Sequence, residues 1–142
     1  KVHNIYTNAV TEYRSQEYIN RLKTFDSIDV VARTMKCING KPHNECGPAE
    51  IHYNYDGTIA RCLYYQYGKL HNVHGPASIS YYHGSEVTNV TFYVNNQLHN
   101  EHGSAVIDYE NGKITHKSYY MNGLKLKMNK TSQSQCNSNT SY

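Results

Sequence analysis

No tryptophan occurs among the 142 residues, phenylalanine occurs twice and proline three times. Fifteen tyrosines therefore supply nearly all of the aromatic surface. A tyrosine core is thin, because each ring keeps its hydroxyl wet or hydrogen-bonded, and it suits a flat or elongated object. No apolar run reaches 18 residues, so no membrane span is expected. Charge of one sign is also scarce. The net charge is +3 and no basic run exceeds two residues, so nucleic acid is not expected as a partner. The four cysteines (Cys37, Cys46, Cys62 and Cys136) include no C-x-x-C pair, and four permit three pairings that the sequence does not rank. There is no P-loop, no G-x-G-x-x-G and no G-x-S-x-G elbow, and acidic residues do not recur as a pair at fixed positions. We expect no catalytic residue, no cofactor and no enzyme. The length fits one domain.

What the chain does have is a period. "NGKPHNECGPAEIHYNYDG", "YGKLHNVHGPASISYYHG" and "NNQLHNEHGSAVIDYENG" align at an offset of 28. His43, His71 and His99 form one column, Asn44, Asn72 and Asn100 the next, followed by Gly47, Gly75 and Gly103. Three more columns hold Ala49, Ala77 and Ala105; Ile51, Ile79 and Ile107; and Tyr53, Tyr81 and Tyr109. After Gly-Pro-Ala each copy alternates, with Ala49, Ile51 and Tyr53 on one side and Glu50, His52 and Asn54 on the other. That pattern predicts a strand with one covered and one wetter face. Asp56-Gly57, His83-Gly84 and Asn111-Gly112 then predict tight turns. A second strand follows, ending in Leu63-Tyr64-Tyr65, Phe92-Tyr93 or Tyr119-Tyr120. Another turn comes at Asn39-Gly40, Tyr67-Gly68, Asn95-Asn96 and Asn122-Gly123, where one position needs a positive φ.

The expected fold is mainly β: tandem 28-residue β-hairpin repeats in a meandering antiparallel sheet, with an N-terminal helix and an irregular C-terminal tail. Residues 1–30 are expected to form a helical cap, since Val10, Tyr13, Ile19 or Tyr18, Leu22 and Phe25 fall roughly at helical spacing. Residues 31–127 are the array, in about three copies plus partial ends, because "ARTMKC" at 32–37 aligns with "ARCLYY" at 60–65. Residues 128–142 are polar and aperiodic, as in a tail. N-x-[ST] patterns occur at Asn89, Asn129 and Asn139 and matter only in a secreted protein.

The unit N-G-x-L-H-N-x-x-G-P-A, with its alternating strand and Y-x-x-G, resembles the MORN-like tandem repeats of giant DNA viruses and large phages. The resemblance covers residues 31–126, and Gly47-Pro48-Ala49 and Gly75-Pro76-Ala77 are its most specific elements; Gly103-Ser104-Ala105 departs from it. It implies an assembly role.

Two columns invite a chemical reading. His43, His71 and His99, with Cys46, His74 and His102, have the ligand types of a transition-metal ladder. A residue repeated with the unit serves the unit, however, so we read the imidazoles as satisfying the backbone of the turn before Gly-Pro-Ala, and expect no metal. Tyr64, Tyr82 and Tyr119 are expected on the wetter face as partner-binding residues, tyrosine being enriched at interfaces. The expected function is a non-enzymatic structural or interaction protein that docks into a larger assembly, such as a minor virion component against a major capsid or other virion protein. The alternative is a glycan- or host-surface-binding module that uses the tyrosine-rich face.

Overall fold

The structure, a computed structural model, describes residues 8–13, 31–83 and 85–127. Fourteen strands make up its regular part, and no helix occurs among the described residues. In chain order they are β1 (Asn8–Tyr13), β2 (Val31–Ile38), β3 (Lys41–Pro42), β4 (Glu50–Tyr53), β5 (Ile59–Leu63), β6 (Tyr65–Gln66) and β7 (Lys69–Leu70). Then come β8 (Ser78–Tyr82), β9 (Glu86–Thr91), β10 (Tyr93–Val94), β11 (Gln97–Leu98), β12 (Val106–Glu110), β13 (Lys113–Met121) and β14 (Leu124–Leu126).

The main sheet runs β1-β2-β4-β5-β8-β9-β12-β13-β14, antiparallel throughout, with β3 beside β2. Order in space is thus order in sequence, as expected where alternating strands are joined by turns too short for a crossover. Two minor hairpins, β6–β7 and β10–β11, stand apart from this path. Their turns, and those at Asn39-Gly40, Asn111-Gly112 and Asn122-Gly123, place two consecutive residues at positive φ, +48° to +51° and then +66° to +82°. Both central positions are left-handed, which is the type I′ geometry whose twist matches the flanking strands. Tyr67 is the exception in composition. Its ring lies 4.3 Å from that of His43, a contact that offsets the strain of a bulky residue at φ +48°.

The N-terminal helix expected over residues 1–30 is not what Asn8–Tyr13 forms. Val10 and Tyr13 lie in β1, paired with β2 from Asn8 opposite Cys37 to Tyr13 opposite Val31. Ile19, Tyr18, Leu22 and Phe25 fall outside the described residues, as does the tail of 128–142. The segment "NAVTEY" alternates and carries β-branched Val10 and Thr11, which favour an extended backbone, and pairing with β2 satisfies a backbone edge that a helix would leave open. The register also shifts between Glu12 and Tyr13. The same irregularity falls between His52 and Tyr53, Ser80 and Tyr81, and Asp108 and Tyr109. Ala9 and Tyr13 hold the register positions of Ala49 and Tyr53. β1 and β2 therefore pair as β4–β5, β8–β9 and β12–β13 do.

The core is thin and partly polar. Cys37, Ile38, Ala49, Cys62, Leu63, Ala77 and Ala105 are buried, but so are His43, Glu50, Ser78, Thr91, Ser104 and Ser118. The side expected to be wetter is thus closed at Glu50 and Ser78, while Ile51 and Ile79 on the other side are only half-buried. The alanines sit where strands approach through short bonds on both sides. Ala77 N–H donates to the Thr91 carbonyl (2.9 Å) and its own carbonyl accepts from Tyr64 N–H (2.8 Å). A small, fully buried side chain fits that place.

Candidate functional site

The loops that carry the histidine, asparagine and Gly-Pro-Ala columns line one end of the sheet. In each, the asparagine closes the loop on itself. Asn72 Oδ1 accepts from His74 N–H (3.0 Å) and Asn72 Nδ2 donates to the Pro76 carbonyl (3.0 Å). Asn44 and Asn100 make the same two bonds with Cys46 and Pro48, and with His102 and Ser104. This is an Asx turn, in which a short polar side chain imitates backbone.

The histidine reaches further. Tyr67 N–H donates to His43 Nδ1 (3.1 Å), Asn95 N–H to His71 Nδ1 (3.3 Å) and Asn122 N–H to His99 Nδ1 (3.2 Å). Each imidazole is therefore bonded to the turn at 67–68, 95–96 or 122–123 that follows it, not to the turn before its own Gly-Pro-Ala or Gly-Ser-Ala. Gly68, Asn96 and Gly123 N–H reinforce the same junctions by donating to the carbonyls of Pro42, Leu70 and Leu98. Accepting at Nδ1 places the proton of a neutral ring on Nε2. That atom lies 3.7 Å from Glu45 Oε1 in His43 and 3.4 Å from Glu101 Oε1 in His99. In His43 it is buried without a hydrogen-bond partner.

The column of His43, His71 and His99 thus has a structural use for its Nδ1 lone pair. Among the described residues no three His, Cys, Asp or Glu side chains converge as a ligand set. Cys46 is exposed, and Cys37 and Cys62 are buried free thiols. Between the second and third loops lies an open groove of about 550 Å³, with Val73, His74, Phe92, Val94, Glu101 and His102 in its walls.

The polar strand face is internally engaged. Arg33 Nη1 (3.0 Å) and His52 Nε2 (2.8 Å) both meet Glu50 Oε1, at a carboxylate that is 6 % exposed. Arg61 donates to Ser78 Oγ from Nε and Nη2, and Asn89 Nδ2 donates to Asp108 Oδ1 (2.7 Å). Asn89 Oδ1 accepts from Thr91 Oγ1 (2.9 Å), and Thr91 is buried. The Asn89-Val90-Thr91 pattern therefore lies inside the sheet, where both polar side chains are bonded. Asn129 and Asn139 fall outside the described residues.

Tyr64, Tyr82 and Tyr119 do not form one surface. Tyr64 and Tyr119 are half-buried at equivalent places near the loop end, while Tyr82 is 59 % exposed beside the hairpin turn, its ring 4.1 Å from that of His83. The residues gathered near Tyr64 are Cys62 and Tyr81. Burial raises the pKa of all three above the ordinary thiol and phenol ranges; the Cys62 thiolate raises Tyr64 and Tyr81 further, and Tyr64 also raises Tyr81. Burial likewise raises Tyr65, with Glu50 adding to it and Arg61 and Arg33 opposing it. The alternation of each strand pointed to tyrosine on both faces; it did not show that Tyr81 lies near enough to Tyr64 and Cys62 to feel their charge.

Comparison with protein-family models, with curated proteins and with solved structures found no match to this chain.

Proposed function

We propose that this chain is a non-enzymatic structural protein, a tandem array of 28-residue hairpin units that docks into a larger assembly. Its setting on this reading is a virion shell, where it is a minor component against a major capsid or other virion protein; the MORN-like resemblance is the ground for that setting. The observation that carries the reading is where the recurrent residues go. The histidine of every unit is consumed in bonding the next turn, the asparagine in closing its own loop, and the alanine in the close approach of neighbouring strands. A residue spent on the scaffold leaves recognition to the positions that vary from unit to unit, such as Val73, Tyr82 and Ile114, all largely exposed.

Cross-linking mass spectrometry on the native assembly, with copy number from the same sample, tests this. Reproducible links to one abundant neighbour at fixed stoichiometry are expected. A chain found free in the soluble fraction, with saturable binding in a glycan screen, would replace the reading with that of a glycan-binding module.

A further inference from the structure

Every junction between successive hairpins follows one rule. The second strand of a hairpin (β2, β5 or β9) gives its outer edge to the first strand of the next (β4, β8 or β12). The register is shared: Thr34 opposite Ile51, Cys62 opposite Ile79 and Val90 opposite Ile107. One residue along, Arg33 faces His52, Arg61 faces Ser80 and Asn89 faces Asp108.

At the two ends of the sheet half of this junction stands alone among the described residues. β1 is a first strand with no second strand before it. β13 is a second strand whose outer edge is met only at Tyr119–Met121, by β14, the place that β3 takes beside β2. The backbone direction at these edges follows from the alternation of strand groups. The Ser118 carbonyl accepts from Ala105 N–H (2.9 Å) and so faces inward, as the carbonyls of Leu63 and Thr91 do. Lys117 therefore turns its N–H and carbonyl outward. In β1 the residue at the matching register position is Thr11, opposite Thr34.

We propose that the protein associates head to tail: the outer edge of β13 in one copy takes β1 of a second copy, in the register of the internal junctions. Lys117 then stands opposite Thr11, His116 opposite Glu12 and Ser118 opposite Val10. The two end strands depart from the internal pattern at the same positions, and the departures match. Lys117 is charged and exposed where Thr34, Cys62 and Val90 are uncharged and at least half-buried, and a lysine on an edge strand discourages pairing with an arbitrary apolar strand. The first strands of the internal copies carry Ile51, Ile79 and Ile107 at the facing position; β1 carries Thr11. The exposed imidazole of His116 meets the register position of an acid, Glu12. The edge is thus selective for β1 over the other first strands of its own kind. Such an interface is heterologous and does not close on itself, so it builds open chains. This holds whichever partner the outer faces engage.

Sedimentation of the full chain over rising concentration tests it, with species expected at multiples of 16.3 kDa. Lys117→Pro and Thr11→Pro each remove one outward N–H, a place where an edge strand tolerates proline. Each variant alone is expected to stay monomeric. Mixed, they retain one good edge of each kind and are expected to form a 1:1 dimer that grows no further. Three outcomes overturn the proposal: wild type monomeric throughout, Thr11→Pro dimerising alone, or a mixture that stays monomeric while both variants are folded. Should a proline variant not fold, Lys117→Cys and Thr11→Cys chains are mixed under mild oxidation. Facing residues of such a pair lie about 5.5 Å apart at Cα, within disulfide reach. A peptide linked between positions 117 and 11 is expected, and its absence from folded, oxidised chains sinks the idea.

Discussion

The same bond is buried to different degrees along the histidine column. His43 is 1 % exposed, while His71 is half-buried, yet each accepts a turn N–H from 24 residues on. Truncating the buried His43 ring leaves an empty volume in the sheet and removes the acceptor of the part-buried Tyr67 N–H, so His43→Ala is expected to cost about 2–4 kcal/mol. At His71 water can replace the ring, and His71→Ala is expected to cost about 1 kcal/mol. Denaturant unfolding of the two variants checks the order. Titration supplies a second residue-scale test. Cys62, Tyr64, Tyr65 and Tyr81 all have pKa values raised by burial, so the unfolded chain loses these protons first. Their contribution is complete below the unfolded values and is lost as pH rises through the folded ones. Stability is therefore expected to hold up to about pH 8.5 and to fall from there to beyond pH 10, read as a declining denaturation midpoint. Asp56 has the opposite sign. The Thr58 hydroxyl and N–H lower its pKa, so whatever it adds is lost only in strong acid.

Among the elements, the type I′ turns set the register of the hairpins they close. Asn122 sits at φ +49° in the turn that aligns Met121 with Leu124. Asn122→Val puts a β-branched side chain in the left-handed region and is expected to cost about 1–2 kcal/mol, with the loss seen first in amide exchange of β14. These turns were legible because Asn-Gly and related dipeptides favour such geometry and turn dipeptides recurred every 27 or 28 residues. The meander was legible too, since alternating runs joined by tight turns leave no chain for a crossover. The first hairpin was not. Its strands are separated by residues 14–30, so a period of 28 does not bring Ala9 and Tyr13 under Ala49 and Tyr53. Without that alignment, Val10 and Tyr13 joined a helical pattern with residues that follow. The histidine column was visible, but its reach was not, because nothing in a sequence tells whether a side chain bonds its own turn or the next one in space.

For the whole molecule, the imidazoles of His43, His71 and His99 each bond the turn that follows at 67–68, 95–96 or 122–123 through the same atom, Nδ1. Removing residues 71–98 joins Leu70 to His99, so His99 takes the place of His71 and every column stays in phase. Arg61 then faces Asp108 where it had faced Ser80, which supplies an opposite charge. The shortened chain is expected to fold in one cooperative transition, with a smaller denaturant dependence because less surface is exposed on unfolding. A deletion of 71–90, which breaks the phase, is expected not to fold. Circular dichroism and a urea titration of both chains separate these outcomes.

Neighbours in sequence are neighbours in space, with β1 at one margin and β14 at the other. Tension applied between residues 8 and 127 therefore acts across the strands, along the hydrogen bonds, and opens them one pair at a time instead of shearing a whole ladder at once. Every 28 residues released add about 95 Å of contour. Under load this molecule is expected to be a soft, stepwise extender at low force, with equal increments from β4 to β12 and a longer one from the first hairpin.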